Sequence, residues 1–485
     1  MNTLIEIKRG SSKGDPLWYS RNMNYLVDII GAGLAGSEAA LQLAQRNIQV
    51  RLIEMRPVQK TPVHTSDKCG ELVCSNSLKS MKPESAAGML KSELKALNSQ
   101  LLSIASDCAV AAGGALAVDR EQFSEEITSR IKENPNIELL RAEVLSLTED
   151  AQIVLKNEEG KVLLSPKADA VILATGPLTS DALAESLQAL TGSDQMAFYD
   201  AAAPIVMADS LNYDILFRQS RYEDNAVGDY LNAPFSKEEY EHFIEELLAA
   251  KRVISKDFET KDLFQACQPI EEIARKGVDA PRFGPLKPVG LQDPRTGHRP
   301  WAALQLRAED AYKNSYNLVG FQTNLTFPEQ KRIFRMIPGL EEAEFARYGV
   351  MHRNTFIQAP QLLTKQLRLR KQETQTPIYV AGQLAGTEGY CEAMISGLYV
   401  ALCCVAQLQN KNMPNYPADC VFGSLLDYAT NPETKDYQPM HVNFGIVPPL
   451  EKRIRNKQER YAQYKARGDK AMQIFVESLQ EEGLL

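Results

Sequence analysis

Residues 26–36, LVDIIGAGLAG, place an apolar strand directly before a Gly-x-Gly-x-x-Gly turn, and residues 37–48 continue as a helix. Gly31 allows the tight turn, Gly33 lets backbone N–H groups approach a phosphate, and Gly36 lets helix and strand pack closely. The helix N-terminus presents its positive dipole end to the same anion. The pattern therefore predicts a pyrophosphate site formed by Gly31, Ala32, Gly33, Leu34, Ala35 and Gly36.

An acidic residue ends the next predicted strand. Glu54 follows the strand residues Val50, Leu52 and Ile53 and lies 18 residues after Gly36. A carboxylate at this place in a strand–turn–helix–strand unit accepts hydrogen bonds from ribose hydroxyl groups. We therefore expect FAD or NAD, rather than NADP, as the bound dinucleotide.

A second unit of the same kind lies far along the chain. Residues 376–405 run from an apolar strand through a turn that contains Gly382, Gly386 and Gly389 into a helix rich in small residues. FAD needs a second helix N-terminus to hold its flavin end, so these glycines are further candidates for cofactor binding. Because no second Gly-x-Gly-x-x-Gly follows, a separate NAD(P) domain is not expected.

Composition sets outer limits on function. The chain has 485 residues, is 44% hydrophobic and 24% charged, and carries a net charge of −8. This charge argues against a protein that simply coats nucleic acid, although a local basic patch stays possible. No run is read as a membrane span or signal peptide, and the eight cysteines form no Cys-x-x-Cys pair. We therefore expect reduced thiols, no metal site and a cytoplasmic location.

Periodicity predicts the remaining elements and the domains. Helices are expected at 84–103, 119–134 and 236–252, and strands at 137–147, 151–156 and 168–177. The predicted fold class is α/β, a Rossmann-like FAD-binding domain with an inserted smaller α/β domain. Its expected parts are an N-terminal extension at 1–22 without order, the discontinuous FAD-binding domain at 23–205 and 300–425, the insertion at 206–299, and a C-terminal helical segment at 426–485. Within that last segment, a basic helix is expected at 450–470. Its charge fits an RNA-facing surface and a solvated helix face equally well.

Five motifs resemble one family. They are ELVCSNSLKS (71–80), ACQPIEE (266–272), RFGPLKPVGLQDPRTGHRP (282–300), NLVGFQT (317–323) and GVMHRNTF (349–356). In this order they are similar to the TrmFO family of folate- and FAD-dependent tRNA uracil-5 methyltransferases. The resemblance implies that methylenetetrahydrofolate donates a one-carbon unit to carbon 5 of a uridine in the tRNA T-loop. It also implies reduced FAD as carrier and reductant, recharged by NADH or NADPH.

The same resemblance implies site residues. Carbon 5 of uracil becomes nucleophilic when a thiolate adds to carbon 6, which requires an activated cysteine. The resemblance implies Cys267 as nucleophile and Cys74 as its partner, although which of the two attacks is open from the residues alone. Small polar residues beside Cys74, including Asn76, can bond a base edge. His352 is implied to stack on the pterin of folate, and Arg353 to hold its glutamate tail or a phosphate.

Other functions stay open at this stage. The same chemistry could act on ribosomal RNA. The related GidA proteins, which modify wobble uridines, share the fold, but they are expected to carry a Cys-Asn-Pro string where this chain has Cys74-Ser-Asn-Ser. A flavin-containing RNA-binding protein and an NAD-linked oxidoreductase are the remaining alternatives. The sequence leaves a homo-oligomer possible.

Overall fold

The structure is a computed structural model of the chain. It describes residues 25–61, 63–192, 196–221, 228–254, 268–310, 312–370, 374–434, 437–452 and 454–485, together with the backbone of 5–6. At 196–200, 352 and 353 it describes the backbone alone.

The helices are α1 (Leu34–Gln45), α2 (Ala86–Ala96), α3 (Gln100–Asp107), α4 (Arg120–Glu133), α5 (Asp181–Thr191), α6 (Lys237–Ala249), α7 (Ile270–Arg275), α8 (Phe327–Phe334), α9 (Ala359–Leu362), α10 (Tyr390–Leu408), α11 (Val421–Thr430) and α12 (Lys457–Glu481). The strands are β1 (Ile5–Glu6), β2 (Leu26–Ile30), β3 (Gln49–Glu54), β4 (Ser77–Ser80), β5 (Ala109–Val110), β6 (Ala115–Val118), β7 (Ile137–Leu147), β8 (Ile153–Asn157), β9 (Val162–Leu164), β10 (Ala170–Leu173), β11 (Met196–Ala201), β12 (Ile205–Met207), β13 (Phe217–Arg218), β14 (Leu231–Phe235), β15 (Ala302–Ala308), β16 (Ser315–Leu318), β17 (Phe345–Arg347), β18 (Met351–Phe356) and β19 (Ile378–Val380).

The first domain is built on a sheet of order β1-β9-β8-β7-β3-β2-β10-β19. Its five strands from β7 to β19 run parallel, and Ile30 lies level with Ile53 on one side and Leu173 on the other. The strands β2, β3, β10 and β19 are almost wholly buried, as expected when helices cover both faces of a parallel sheet. This arrangement confirms the Rossmann-like prediction and brings the ends of β2, β3 and β10 to one edge.

One predicted helix is broken in two. The apolar period at 84–103 predicts a single helix, but the chain leaves α2 at Leu97, and Asn98 adopts a left-handed φ of 58°. Ser99 then caps α3 by accepting from the N–H of Leu102. The buried carboxylate of Glu38 also accepts from the N–H groups of Gln100 and Leu101 at 3.0 and 2.9 Å. This long-range cap stabilises a second helix start that periodicity cannot reveal.

The insertion is larger than predicted. Its antiparallel sheet has the order β13-β14-β15-β16-β12-β17, and β12 pairs with both β16 and β17. The buried side chains of Phe243, Phe321 and Phe334 belong to its separate core, covered by α6, α7 and α8. The expected boundary at 299 is therefore wrong, because β15, β16 and β17 belong to this sheet and extend the domain to 347. A two-stranded sheet of β11 and β18 lies beside the connection to the first domain.

The chain ends pack on the first domain where they are described. Tyr464, Phe475 and Leu479 of α12 lie in the same core as α1 and α10. The helix α12 lies within the segment expected to be helical, whereas α11 begins before the expected boundary at 426. Of the N-terminal extension, only β1 lies within the described residues, and its backbone pairs with β9.

One helix of the described chain, α10, has the length and apolar composition of a membrane span. The 18-residue window that meets this criterion is 89% buried within the protein. The helix packs against α1, where Gly397 approaches the backbone of Ala35. It is therefore the core helix of the first domain.

Candidate active site

A deep cleft opens at the edge where the parallel strands end. It lies between the N-terminal ends of α1 and α10. Its walls include residues from both predicted glycine turns and from the segment before Cys74, namely Gly31, Gly33, Leu34, Ala35, Glu54, Val73, Gly382, Gln383, Tyr390 and Ala393. Two helix N-termini thus face one elongated cleft, as a dinucleotide with a central pyrophosphate requires.

The first glycine turn has the geometry that the sequence predicts. Gly31 has a φ of +100°, and a Cβ there would lie 2.6 Å from the carbonyl oxygen of Ala174. A Cβ on Gly36 would lie 1.9 Å from the carbonyl oxygen of Gly31, so helix and turn touch. Gly33 has no atom within 4 Å of its Cβ position and faces open cleft. This open approach to backbone N–H groups fits a pyrophosphate.

Glu54 is positioned as a charged acceptor. Its Oε2 accepts from the N–H of Ala32 at 2.9 Å, and its Oε1 accepts from Nε of Arg56 at 2.7 Å. Burial opposes ionisation of this carboxyl, but Arg56 and the backbone donors outweigh it and hold the pKa of Glu54 below its ordinary value. Oε1 also accepts from the N–H of Arg56 at 3.1 Å, so Oε2 is the oxygen that can accept a further hydrogen bond, as a ribose hydroxyl would donate. That contact stays a prediction.

The second glycine turn contributes in two ways. Gly382 lines the cleft directly and has a φ of +73°. Gly386 packs against the hydroxyl of Tyr437, which would lie 1.7 Å from an added Cβ. Gly389 packs in the same way against Glu392, 2.3 Å from the Cβ position. Gly386 and Gly389 therefore shape the turn that aims α10 at the cleft, and cofactor contacts of these two glycines stay predictions.

The backbone of Cys74 is held from three directions beside this cleft. Its N–H donates to the hydroxyl of Tyr390 at 3.0 Å, and Tyr390 itself lines the cleft. Its carbonyl oxygen accepts from Nη2 of Arg120 at 3.0 Å and from Nη2 of Arg347 at 3.2 Å. The Sγ of Cys74 lies 4.0 Å from the carbonyl oxygen of Ala201 in β11. Cys74 therefore lies beside Val73 and Tyr390, which line the cleft, and its catalytic role stays a prediction.

Asn76 joins the two domains. It is fully buried, and its Nδ2 donates to the carbonyl oxygens of Val118 and Ala308, both at 3.0 Å. Its Oδ1 accepts from Nε of Arg307 at 2.7 Å, while Nη2 of Arg307 donates to Oγ of Ser75 at 2.6 Å. These contacts give Asn76 a role in positioning the loop, and contact with a substrate stays a prediction.

Three arginines and one carboxylate surround this loop. Glu309 pairs with Arg120, and this ion pair raises the pKa of the Arg120 guanidinium although burial lowers it. Burial lowers the pKa of Arg307, and it does the same for Arg347, where nearby Arg120 adds repulsion. The excess positive charge suits a thiolate or another anion at the loop. No local motif marks these residues, because they come from α4, β15 and β17.

The segment that follows Cys267 is anchored to the insertion domain. Cys267 itself lies outside the described residues. The N–H of Ile270 donates to the carbonyl oxygen of Gln322 at 2.7 Å. The carboxylate of Glu271, which is fully buried, accepts from the N–H of Asn324 at 2.6 Å and from the hydroxyl of Thr323 at 3.1 Å. The motifs 266–272 and 317–323 are therefore in contact.

The strand β18 brings the motif at 349–356 to the same region. The backbone of His352 pairs with Asp200, that of Arg353 pairs with Tyr199, and Met351 pairs with Ala201. Because Ala201 approaches the sulfur of Cys74, β18 runs beside the cysteine loop. The side chains of His352 and Arg353 lie outside what is described, so their roles stay predictions.

Glu271 makes stability depend on pH. Burial raises its pKa from 4.5 to about 7, with a contribution from Glu272. An acid with a raised native pKa stabilises the fold at low pH, and that stability is lost as pH rises from about 4.5 to 7. We expect Glu271→Gln to remove this loss. The free energy of unfolding of the variant minus that of wild type should therefore be larger at pH 8 than at pH 4.5, by on the order of 3 kcal/mol.

Urea unfolding at both pH values measures this difference. The matched control is Glu238→Gln on the exposed side of α6, which we expect to follow the wild-type pH dependence. Parallel pH curves for Glu271→Gln and wild type would contradict the assignment.

Comparisons with known proteins agree with this geometry. The family model for glucose inhibited division protein A matches residues 26–412. The methylenetetrahydrofolate–tRNA-(uracil-5-)-methyltransferase TrmFO of Bacillus pumilus is 46% identical over 457 residues, covering 94% of this chain and 100% of the relative. TrmFO of Desulfotalea psychrophila is 48% identical over 433 residues, covering 89% of this chain and 93% of the relative.

A solved structure shows the same fold at lower identity. GidA of Aquifex aeolicus aligns with a TM-score of 0.68 at 16% identity, covering 95% of this chain and 76% of the other. The family predicted from the five motifs is thereby confirmed. On these matches the chain belongs to the TrmFO family and to the wider family of glucose inhibited division protein A.

Proposed function

We propose that this protein methylates carbon 5 of a uridine in tRNA, with methylenetetrahydrofolate as the one-carbon donor. The observation that carries the proposal is the position of Tyr390, which lines the dinucleotide cleft and also holds the backbone of Cys74 at 3.0 Å. This contact supports the proposal that the cofactor site and the thiol of Cys74 belong to one centre. The curated relatives carry this activity in their names.

FAD is the dinucleotide that this cleft would hold. Gly31, Gly33 and Gly36 would admit its pyrophosphate, Glu54 its ribose, and the turn at Gly382 its flavin end. When bound, FAD supplies reducing equivalents and carries the one-carbon unit. We propose NADH or NADPH as its reductant.

The chain's own residues activate the uracil. We propose that the thiolate of Cys267 adds to carbon 6, forming an S–C6 bond and moving an electron pair to carbon 5. Carbon 5 then bonds to the one-carbon unit, and loss of the proton on carbon 5 expels the nitrogen that carried this unit. A hydride from the reducing equivalents of the reaction would then convert the methylene on carbon 5 to methyl, and the S–C6 bond breaks to release the thiolate. Cys74 acts as partner in this step. The positive charge of Arg120, Arg307 and Arg347 favours anions at the Cys74 loop.

Finer features of the substrate belong to the same proposal. We propose that the target lies in the tRNA T-loop, that His352 stacks on the pterin, and that Arg353 holds the glutamate tail of folate or a phosphate. We also propose a cytoplasmic enzyme that acts without a membrane. Sedimentation analysis would measure whether the protein forms homo-oligomers.

Isotope transfer tests the reaction. We expect label from methylenetetrahydrofolate to appear in 5-methyluridine of an unmodified tRNA transcript, and no label to arrive from S-adenosylmethionine. The control is the same incubation with a ribosomal RNA fragment, which distinguishes the two RNA substrates. Transfer from S-adenosylmethionine, or no transfer to either RNA by flavin-loaded protein, would contradict the proposed function.

A further inference from the structure

Three aromatic rings of the insertion domain form a parallel stack. The rings of Phe345 and Tyr348 are 4.9 Å apart between centroids with an interplanar angle of 14°. Those of Tyr348 and Phe327 are also 4.9 Å apart, at 17°. We call Phe345, Tyr348 and Phe327 the aromatic ladder. Its rings are nearly parallel, whereas most ring pairs of the insertion core are tilted or edge-on.

The ladder runs from the core to the surface. Phe345 packs against the core of the insertion domain, and Tyr348 stands between the two phenylalanines. Phe327 is 50% exposed. Because Tyr348 covers one side of the Phe327 ring, the exposed half presents the end of a stack to solvent. An exposed apolar ring with a flat face is the kind of surface on which a nucleic-acid base stacks.

The ladder is attached to both cysteine segments. Arg347, which precedes Tyr348, donates from Nη2 to the carbonyl oxygen of Cys74 at 3.2 Å. On the other side, the N–H of Asn324 donates to the carboxylate of Glu271, in the segment after Cys267, at 2.6 Å. Phe327 follows Asn324 by three residues. Residues close to the ladder in the chain therefore make hydrogen bonds to both regions: Arg347 bonds to Cys74, and Asn324 bonds to the segment after Cys267.

The attachment is rigid. The side-chain amide of Gln330 in α8 accepts from the N–H of Gly349 at 2.8 Å and donates to its carbonyl oxygen at 2.8 Å. A Cβ on Gly349 would lie 2.7 Å from the carbonyl oxygen of Ala202, so the backbone after Tyr348 is closely packed. Ala202 in turn donates its N–H to the carbonyl oxygen of Val350 at 2.9 Å. The ladder therefore has little freedom to move relative to β18.

We propose that the aromatic ladder is a stacking platform for an unpaired base of the RNA substrate, next to the target uridine. This inference rests on the RNA substrate of the proposed function and adds the surface that recognises it. Sequence-specific proteins bind single-stranded RNA by stacking splayed bases on aromatic rings. Lys331 is exposed one helical turn after Phe327, on the same side of α8, and supplies positive charge for the adjoining phosphate.

Substitution of the outer ring tests the platform. The probe is an unmodified tRNA T-arm hairpin carrying 2-aminopurine at one loop position at a time, bound to the full-length, flavin-loaded protein. We expect wild type to quench the fluorescence of one position. Phe327→Ala should abolish that quenching and raise the Kd by about 5- to 100-fold. Phe327→Leu keeps apolar bulk without a π face and should also lose quenching, whereas Phe327→Trp should retain it.

Controls separate stacking from folding and from charge. Tyr312→Ala removes another ring, 81% exposed, and should leave quenching and Kd unchanged. Lys331→Ala should keep the quenching but reduce the slope of log Kd against log salt concentration by about 0.7. Melting temperature and bound flavin should match wild type in every variant.

Two results would overturn the platform. The first is a Phe327→Ala protein with wild-type Kd and quenching, and the second is an equal loss in Tyr312→Ala. In both cases the methylation of the same hairpin by wild-type protein is measured in parallel. If wild type methylates it while Phe327→Ala binds normally, the platform alone fails. If wild type neither binds nor methylates it, the proposed function fails as well.

Discussion

Alanine at Cys267 or at Cys74 is expected to abolish formation of 5-methyluridine, with a loss of about 10³-fold or more in turnover. Each change removes a thiol that the proposed chemistry requires. Flavin content should be unchanged, because the cofactor cleft is formed by other residues. The measurement is nucleoside mass spectrometry of tRNA after incubation with reduced, flavin-loaded protein and methylenetetrahydrofolate.

A matched control separates a catalytic thiol from a structural one. Cys108→Ala removes another half-buried thiol, at the C-terminal end of α3, and should retain activity. An RNA with 5-fluorouridine at the target distinguishes the two candidates, because fluorine at carbon 5 cannot leave as a proton does. The attacking cysteine should be recovered as a covalent peptide–RNA adduct. Full turnover in both alanine variants would remove thiol addition from the mechanism.

Alanine at Gly36 is expected to destabilise the fold, whereas alanine at Gly33 is expected to impair only cofactor binding. At Gly36 the added Cβ would lie 1.9 Å from a backbone oxygen of the turn, so we expect a loss of at least about 3 kcal/mol in the free energy of unfolding. At Gly33 the same atom has no neighbour within 4 Å, so the protein should fold normally. The added methyl group at position 33 would, however, keep the pyrophosphate away from the backbone N–H donors and weaken FAD binding about 10- to 100-fold.

Urea unfolding and flavin absorbance measure the two effects. Gly277→Ala, at an exposed glycine with no atom within 4 Å of its Cβ position, is the control and should change neither. A Gly33→Ala protein that retains FAD with wild-type affinity would contradict the position of the pyrophosphate. A stable, flavin-loaded Gly36→Ala protein would contradict the close packing of α1 on its turn.

The cofactor cleft was predictable because its determinants are local. The conformations of Gly31, Gly33 and Gly36 depend on the backbone over a few residues. The structure has close packing at Gly31 and Gly36 and open space at Gly33, while the contacts of these glycines with a cofactor stay predictions. The same holds for α4, whose observed range of Arg120–Glu133 agrees with the predicted 119–134 and whose first turn is capped by Asp119. The motif around Cys74 could likewise be recognised from its residue string alone.

The arrangement around the cysteines was decided by tertiary structure. Arg307 lies 231 residues after Asn76, and Tyr390 lies 316 residues after Cys74. The break at Asn98 depends on Glu38 in another helix, and the insertion domain extends past 299 because β12 pairs with β16 and β17.

The sequence by itself determined the family, the strand–glycine–helix turns and the candidate cysteines. Only the tertiary structure decided which charges surround Cys74 and where the aromatic ladder stands. The physical reason is that backbone conformation is set by neighbouring residues, whereas hydrogen bonds and ring stacks between distant segments have no period or motif and appear only once the two cores are packed.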